Sequence, residues 1–379
     1  MRIAVLKERA AGETRVAASP DTVKKLIALG HEIVIEAGAG ISASVTDKAF
    51  ADAGAKIAAN AGEALAGSAL VFKVRGPEAA ELSAFARGQG LVALLDPYTN
   101  KAAVDALAKA GLTAIAMEFV PRITRAQSMD ALSSQSNLAG YRAVIEAAEL
   151  YGRAFPMMMT AAGTVAAARV FIMGAGVAGL QAIATARRLG GVVTATDVRP
   201  AAKEQVASLG GKFVAVEDEE FKQAETAAGY AKPMSAEYQA KQAALVAEHI
   251  AKQDVVITTA LIPGRKAPVL VTEAMVRAMR PGSVIIDLAA AAGGNCPLTK
   301  ADEIIDVDGV RIAGFSNLPA RLAADSSALY AKNLLALVPL LTDKDTKAFA
   351  PHWDDEIVKG AALTRDGALI HPAFAQQAA

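Results

Sequence analysis

The chain is poor in the residues that most often announce a chemistry. Of 379 residues, one is cysteine (Cys296) and four are histidine. A single cysteine excludes a disulfide framework and a cysteine-based metal site. Lysine plus arginine balance aspartate plus glutamate, 39 against 39, so the formal net charge is zero. That balance removes the electrostatic case for nucleic acid or an anionic lipid surface as partner. Aromatics make up only 5% of a chain that is 53% hydrophobic, and alanine supplies much of that figure. No run approaches the roughly 18 uninterrupted apolar residues of a membrane helix. The nearest, 157–168 and 334–341, are too short or carry Thr and Gly. The first seven residues already carry charge, and no apolar signal region follows, so no secretory signal is expected. The expectation is a soluble, cytoplasmic chain with no metal site. Its length is that of two domains.

Against these absences, residues 170–199 stand out. An apolar run at 170–173 reads as a buried strand. It leads into Gly174-Ala175-Gly176-Val177-Ala178-Gly179, a helical stretch to Leu189, and a β-branched run at 192–196 that ends on Asp197. In such a G-x-G-x-x-G, Gly174 permits the tight turn and Gly176 lets backbone approach a pyrophosphate. Gly179 lets helix and strand pack closely. The helix N-terminus offers free N–H groups and the positive end of its dipole. Asp197, 18 residues beyond Gly179, is placed to accept hydrogen bonds from a ribose diol. Its charge would repel a 2′-phosphate, which favours NAD(H) over NADP(H). Arg199 could hold a phosphate, but with Asp197 before it, packing on adenine or pairing is the expectation. The alternative is a merely structural glycine turn.

The first part also alternates strand and helix. Strands are expected at 3–6, 32–36, 69–74, 91–95 and 112–117. Ser19-Pro20-Asp21 reads as an N-cap with proline at the first helical position. Residues 118–136 read as polar and irregular, and 137–155 as a long helix. Further strands are expected at 212–216, 255–258, 283–288 and 310–313, and a second long helix at 320–341. The fold class is α/β, with two Rossmann-like parallel-sheet domains joined by two long helices. The nucleotide domain, 141–325, is inserted into one formed by 1–140 plus 326–379, with a cleft expected between them. Residues 218–241, charged and long for a connection, are expected to form a mobile lid.

The segment 121–137 offers amides, hydroxyls, a carboxylate and two guanidiniums. Such a set can fix a carboxamide and a ribose, or can be a polar turn with an N-cap. The histidines, His31, His249, His352 and His371, fall at no predicted strand end facing the cleft. An alcohol or amino-acid dehydrogenase needs a group that manages a proton beside the hydride. Transfer between two nicotinamides does not.

Residues 122–141 (RITRAQSMDALSSQSNLAGY), 155–163 (FPMMMTAAG), 174–186, 264–270 and Gly293-Gly294-Asn295-Cys296-Pro297 closely resemble domain I of proton-translocating nicotinamide nucleotide transhydrogenases. That domain is their NAD(H)-binding component, here similar to a separate alpha-1 subunit. The wider family includes alanine dehydrogenase. Arg15 and Lys73 match positions that hold the substrate carboxylate there. The match fails at 91–97, where no histidine stands, and at 287–293, where alanine replaces a second acid. Alanine oxidation is therefore not expected.

The resemblance implies a homodimer that binds NAD(H) and passes hydride to NADP+ on a partner subunit, domain III. Membrane subunits would couple this to proton translocation. The chain would then be peripheral on the cytoplasmic face of the bacterial inner membrane. Arg122, Gln127, Asp130 and Ser133, with Ser128 and Met129 between, match residues that position nicotinamide and ribose. Gly174, Gly176, Val177, Ala178, Gly179, Asp197, Val198 and Arg199 match pyrophosphate and adenosine contacts. Tyr230 matches the tip of a loop that closes over the nucleotide, and Gly229, Gln242 and Leu261 match lesser contacts. The competing readings are an alanine dehydrogenase-like enzyme and an NAD-binding regulatory module.

Overall fold

The computed structural model describes residues 1–224 and 234–375. The chain divides into two compact units, Met1–Gln135 with Pro319–Ala379, and Ser136–Leu318. Helix Ala131–Tyr151 runs through the first crossing, and helix Ala323–Leu337 follows the return.

The first unit holds a six-stranded parallel sheet of β1 (Arg2–Val5), β2 (Glu32–Glu36), β3 (Lys56–Ala58), β4 (Leu70–Arg75), β5 (Gly90–Leu94) and β6 (Thr113–Ala116). Their order is β3-β2-β1-β4-β5-β6. Both faces are buried, as a parallel sheet flanked by helices requires. Ile3, Val5, Ile33, Ile35, Phe72 and Ile115 join one core, and Ala4, Leu6, Val34, Val71 and Ala114 the other. The period-2 alternation along each strand puts them there. Ser19 caps helix Pro20–Ala28, accepting from Thr22 N at 3.3 Å.

In the second unit a hairpin, β7 (Met158–Thr160) and β8 (Gly163–Val165), precedes a seven-stranded sheet. Its strands are β9 (Arg169–Met173), β10 (Val192–Thr196), β11 (Lys212–Phe213), β12 (Val255–Thr258), β13 (Val284–Asp287), β14 (Ile304–Val307) and β15 (Val310–Ala313). The order is β11-β10-β9-β12-β13-β15-β14, with only β14 antiparallel to its neighbour. In each sheet the first strand lies between the second and the fourth. This is the doubly wound order whose switch point opens at the strand C-termini. The α/β class with two Rossmann-like parallel sheets is as expected.

Local differences have identifiable causes. Residues 118–136 are not irregular throughout: a 3-10 turn spans Thr124–Met129 and helix begins at Ala131. The Asp130 carboxylate accepts from Ser133 N at 2.8 Å and starts that helix as an N-cap does. The expected loop at 218–241 contains helix Glu219–Lys222, and helix Ala236–Ile250 begins inside it. Residues 225–233, with Gly229 and Tyr230, lie outside the described residues. The strands β3, β14 and the β7–β8 hairpin escaped the sequence reading, being short or polar. The C-terminal tail adds β16 (Thr364–Arg365) and β17 (Ala368–Leu369). Leu363 N reaches Ala114 O at 2.8 Å, so the tail continues the edge of the first sheet.

Candidate functional site

In the second unit the glycine loop leaves the C-terminal end of β9 and enters helix Val177–Arg188. Gly174 has φ +105, a left-handed conformation that favours glycine. A Cβ on Gly179 would collide with the Gly174 carbonyl, so Gly179 is the close-packing position. A Cβ on Gly176 would meet nothing within 4 Å. That space lies over the helix N-terminus, which no side chain caps. Val177 is exposed and Ala178 half-buried beside it. The first-turn N–H groups and the helix dipole therefore face a gap that no described residue fills. This arrangement fits a pyrophosphate.

The Asp197 side chain, 7% exposed, ends β10. Its carboxylate accepts from Ala175 N at 2.7 Å, from Arg199 N at 2.9 Å and from Arg199 Nε at 2.9 Å. Arg199 also reaches Ala175 O at 3.3 Å. Asp197 thus shapes the glycine loop as well as ending its strand, and Arg199 pairs with it. A ribose diol at Asp197 would share an oxygen with Arg199. Val198 is exposed. Gln242 Nε2 donates to Thr196 Oγ1 at 3.2 Å and Gln242 Oε1 accepts from Val216 N at 2.8 Å, tying its helix to the end of β10.

Across the switch point, Thr259 Oγ1 donates to Gly174 O at 3.2 Å. The next residue, Ala260, is held by Asn295, whose amide bonds both its backbone groups. Asp287, fully buried, accepts from Thr258, Thr299 and the N–H groups of Ala289, Asn295 and Cys296. Leu261 is left exposed. Sequence reading passed over Asp287 and Asn295 as organisers; their signals are a carboxylate ending β13 and an amide directly after a glycine pair.

In the first unit Pro121, Arg122, Ile123, Thr124, Ala126, Gln127, Asp130 and Ser133 line a hollow of about 400 Å³. It gathers Arg122, Gln127, Asp130 and Ser133 from one continuous segment. Asp130 Oδ2 accepts from Ser133 Oγ at 2.6 Å. Ser128 and Met129 do not line it: Met129 packs into the core, and Ser128 gives its carbonyl to Asn333 Nδ2 at 2.8 Å. Just upstream, Glu118 accepts from Leu95 N and Asp96 N at 2.8 and 2.5 Å through Oε1, while Oε2 has no partner. Burial pushes its pKa up to about 7, against those N–H bonds.

Arg15 and Lys73 are 2% and 1% exposed and already engaged. Arg15 meets both oxygens of Glu13, at 2.8 and 2.6 Å, and Gln135 Oε1 at 2.8 Å. Lys73 Nζ lies 3.0 Å from Glu81 and 3.7 Å from Glu8. Burial opposes ionisation of Glu13, but the Arg15 bonds outweigh it and hold its pKa down to about 2. Burial raises Glu8 to about 7, against the pull of Lys73.

The sequence matches two families end to end. Residues 4–139 match the alanine dehydrogenase/PNT N-terminal domain, and residues 143–372 the alanine dehydrogenase/PNT C-terminal domain. The chain belongs to this family. Among curated relatives, the first polypeptide of NAD(P) transhydrogenase subunit alpha from Rhodospirillum rubrum is 57% identical over 384 residues, covering 100% of both chains. Alanine dehydrogenase of Mycolicibacterium smegmatis is 31% identical over 99% of this chain and 96% of that one. Among solved structures, transhydrogenase from Sinorhizobium meliloti superposes with a TM-score of 0.89 at 55% identity. That match covers 98% of this chain and 100% of that one. Among the described residues no helix is long and apolar enough to cross a membrane.

Proposed function

We propose that this chain is the NAD(H)-binding subunit of a proton-translocating transhydrogenase, passing hydride from NADH to NADP+ on a partner subunit. The observation that carries the reading is the presence of two preformed elements, one in each unit. One is a glycine loop with an unfilled space over a helix N-terminus. The other is a hollow lined by Arg122, Gln127, Asp130 and Ser133. The names of the most similar relatives support the same activity.

The nucleotide supplies the hydride when bound; the residues do the rest. Gly174, Gly176, Val177, Ala178 and Gly179 present backbone to the pyrophosphate, and Asp197, Val198 and Arg199 take the adenosine half. Arg122, Gln127 and Asp130 orient the nicotinamide, and Ser133 fixes Asp130. Their work is positioning, because reacting atoms must come within roughly 3–3.5 Å for transfer. Gly229, Tyr230, Gln242 and Leu261 complete the contacts. NADP(H) sits on domain III, and membrane subunits couple transfer to proton movement, so the chain works at the cytoplasmic face of the bacterial inner membrane. It acts as a homodimer, a reading supported by the exposed Met157, Met158 and Met159, at 61, 41 and 79%, on and just before β7.

The deciding experiment mixes this chain with an NADP-binding domain III and follows single-turnover hydride transfer. Transfer from NADH to NADP+ is expected. Alanine-dependent reduction of NAD+ by the chain alone would overturn the reading. So would NADH binding with no transfer.

A further inference from the structure

We infer that Asn333, on helix Ala323–Leu337, is a positioning residue for the segment that carries Gln127 and Asp130. This rests on the functional reading above. Asn333 is only 6% exposed, in a helix interior where asparagine is a poor former. A buried amide is costly unless its hydrogen bonds are made. Both ends are used: Nδ2 donates to Ser128 O at 2.8 Å, and Oδ1 accepts from Ser134 Oγ at 2.7 Å. The Ser128 carbonyl can only accept, so the amide has one orientation.

The two atoms it grips bracket the site. Ser128 follows Gln127, and Ser134 follows Ser133, the residue that bonds both oxygens of Asp130. One side chain therefore ties the 3-10 turn to the helix that begins at Ala131. The Ser134 hydroxyl is held from its other side by Gln135 Nε2 at 3.2 Å, and Gln135 by Arg15 at 2.8 Å. Arg15 is thereby the far anchor of this chain of bonds. Nothing in the sequence pattern marks Asn333, because its partners lie about 200 residues away.

The test uses the whole chain. Asn333→Asp keeps the acceptor for Ser134 and removes the donor to Ser128; Asn333→Ala removes both; Ser134→Ala spares the bond to Ser128 and removes the one from Ser134 Oγ, along with that hydroxyl's contacts to Gln135 Nε2 and Ala131 O. With domain III present and NADH saturating, Asn333→Asp and Asn333→Ala should slow single-turnover hydride transfer tenfold or more. NADH affinity should change less than threefold, and Ser134→Ala should have the smaller effect. In the free chain, amide hydrogen exchange at 127–130 should accelerate at least tenfold, with helix Ala323–Leu337 unaffected. Unchanged exchange at 127–130 would overturn the inference, as would rate and affinity falling in proportion. Should one variant not fold, the other and Ser134→Ala decide it. If the unmodified chain transfers no hydride, the functional reading fails, while exchange still judges Asn333.

Discussion

In the first sheet Glu8, just beyond β1, pairs with Lys73 within β4, and Glu13 pairs with Arg15 and with Arg75 at the end of β4. In the second sheet the ends of β9 and β12 carry Gly174 and Thr259, and among the described residues none fills the space above Gly176. The strand order around both switch points is the same. A doubly wound sheet therefore supplies a crevice but does not decide its use. Where charged side chains reach in and pair, the chain is its own ligand. Where glycine keeps side chains out, backbone N–H groups remain available to something else. Arg15 and Lys73 show the consequence: residue types that could bind a carboxylate are already occupied by the chain's own carboxylates.

The contrast can be tested most severely at Glu13. Glu13→Gln leaves Arg15 and Arg75 facing a neutral amide in a buried place. Loss of about 3–5 kcal/mol of stability is expected, read from denaturation followed by the sole tryptophan, Trp353, in the first unit. Glu13 has a depressed pKa, about 2 against an ordinary 4.5. Its contribution is present above pH 4.5 and lost as pH falls toward 2. The variant should lack that acid-dependent loss; a variant as stable as the parent at pH 7 would mean that the crevice is not held by its ions.

Glu118 has the opposite sign. Its pKa is raised from 4.5 to about 7. The protonated form suits the fold, so stability is highest below pH 4.5 and falls as pH rises through 7. Glu118→Gln should gain on the parent over that window by about 3 kcal/mol. Parallel pH profiles for the two proteins would refute this.

On the open side, Asp197→Asn should weaken NADH binding by about 1–3 kcal/mol and narrow the gap to NADPH. Equal affinities of the unmodified chain for NADH and NADPH would remove the selectivity argument. Smallest is the effect of Gly176→Ala. Its Cβ enters free space, so thermal stability should hold within about 1 kcal/mol. NADH affinity should fall about tenfold, or about 1.4 kcal/mol. Gly179→Ala is the counterpart: its collision with Gly174 should cost about 1–3 kcal/mol of stability. If both glycines behaved alike, the distinction between a packing and a binding glycine would fall.

The sequence alone determined what local rules govern. The apolar runs of β9 and β10, the three glycines, the cap at Ser19 and the acid ending β10 are local features. Each has a backbone or periodicity reason that needs no distant partner. The α/β class follows from them, while the family rests on the resemblance of longer segments such as 122–141 and 155–163. What tertiary structure decided depends on residues far apart in the chain. Residues 121–137 read as a site or as a polar turn with an N-cap, and only the fold shows that Asp130 both caps its helix and lines a hollow. Arg15 and Lys73 read from the sequence as structural remnants, but only the fold shows that Glu13, Glu8 and Glu81 are their partners. Asn333 gave no signal at all. The physical reason is common to these cases. A buried polar group is defined by the partner that satisfies it, and the fold, not spacing along the chain, brings that partner within hydrogen-bonding distance.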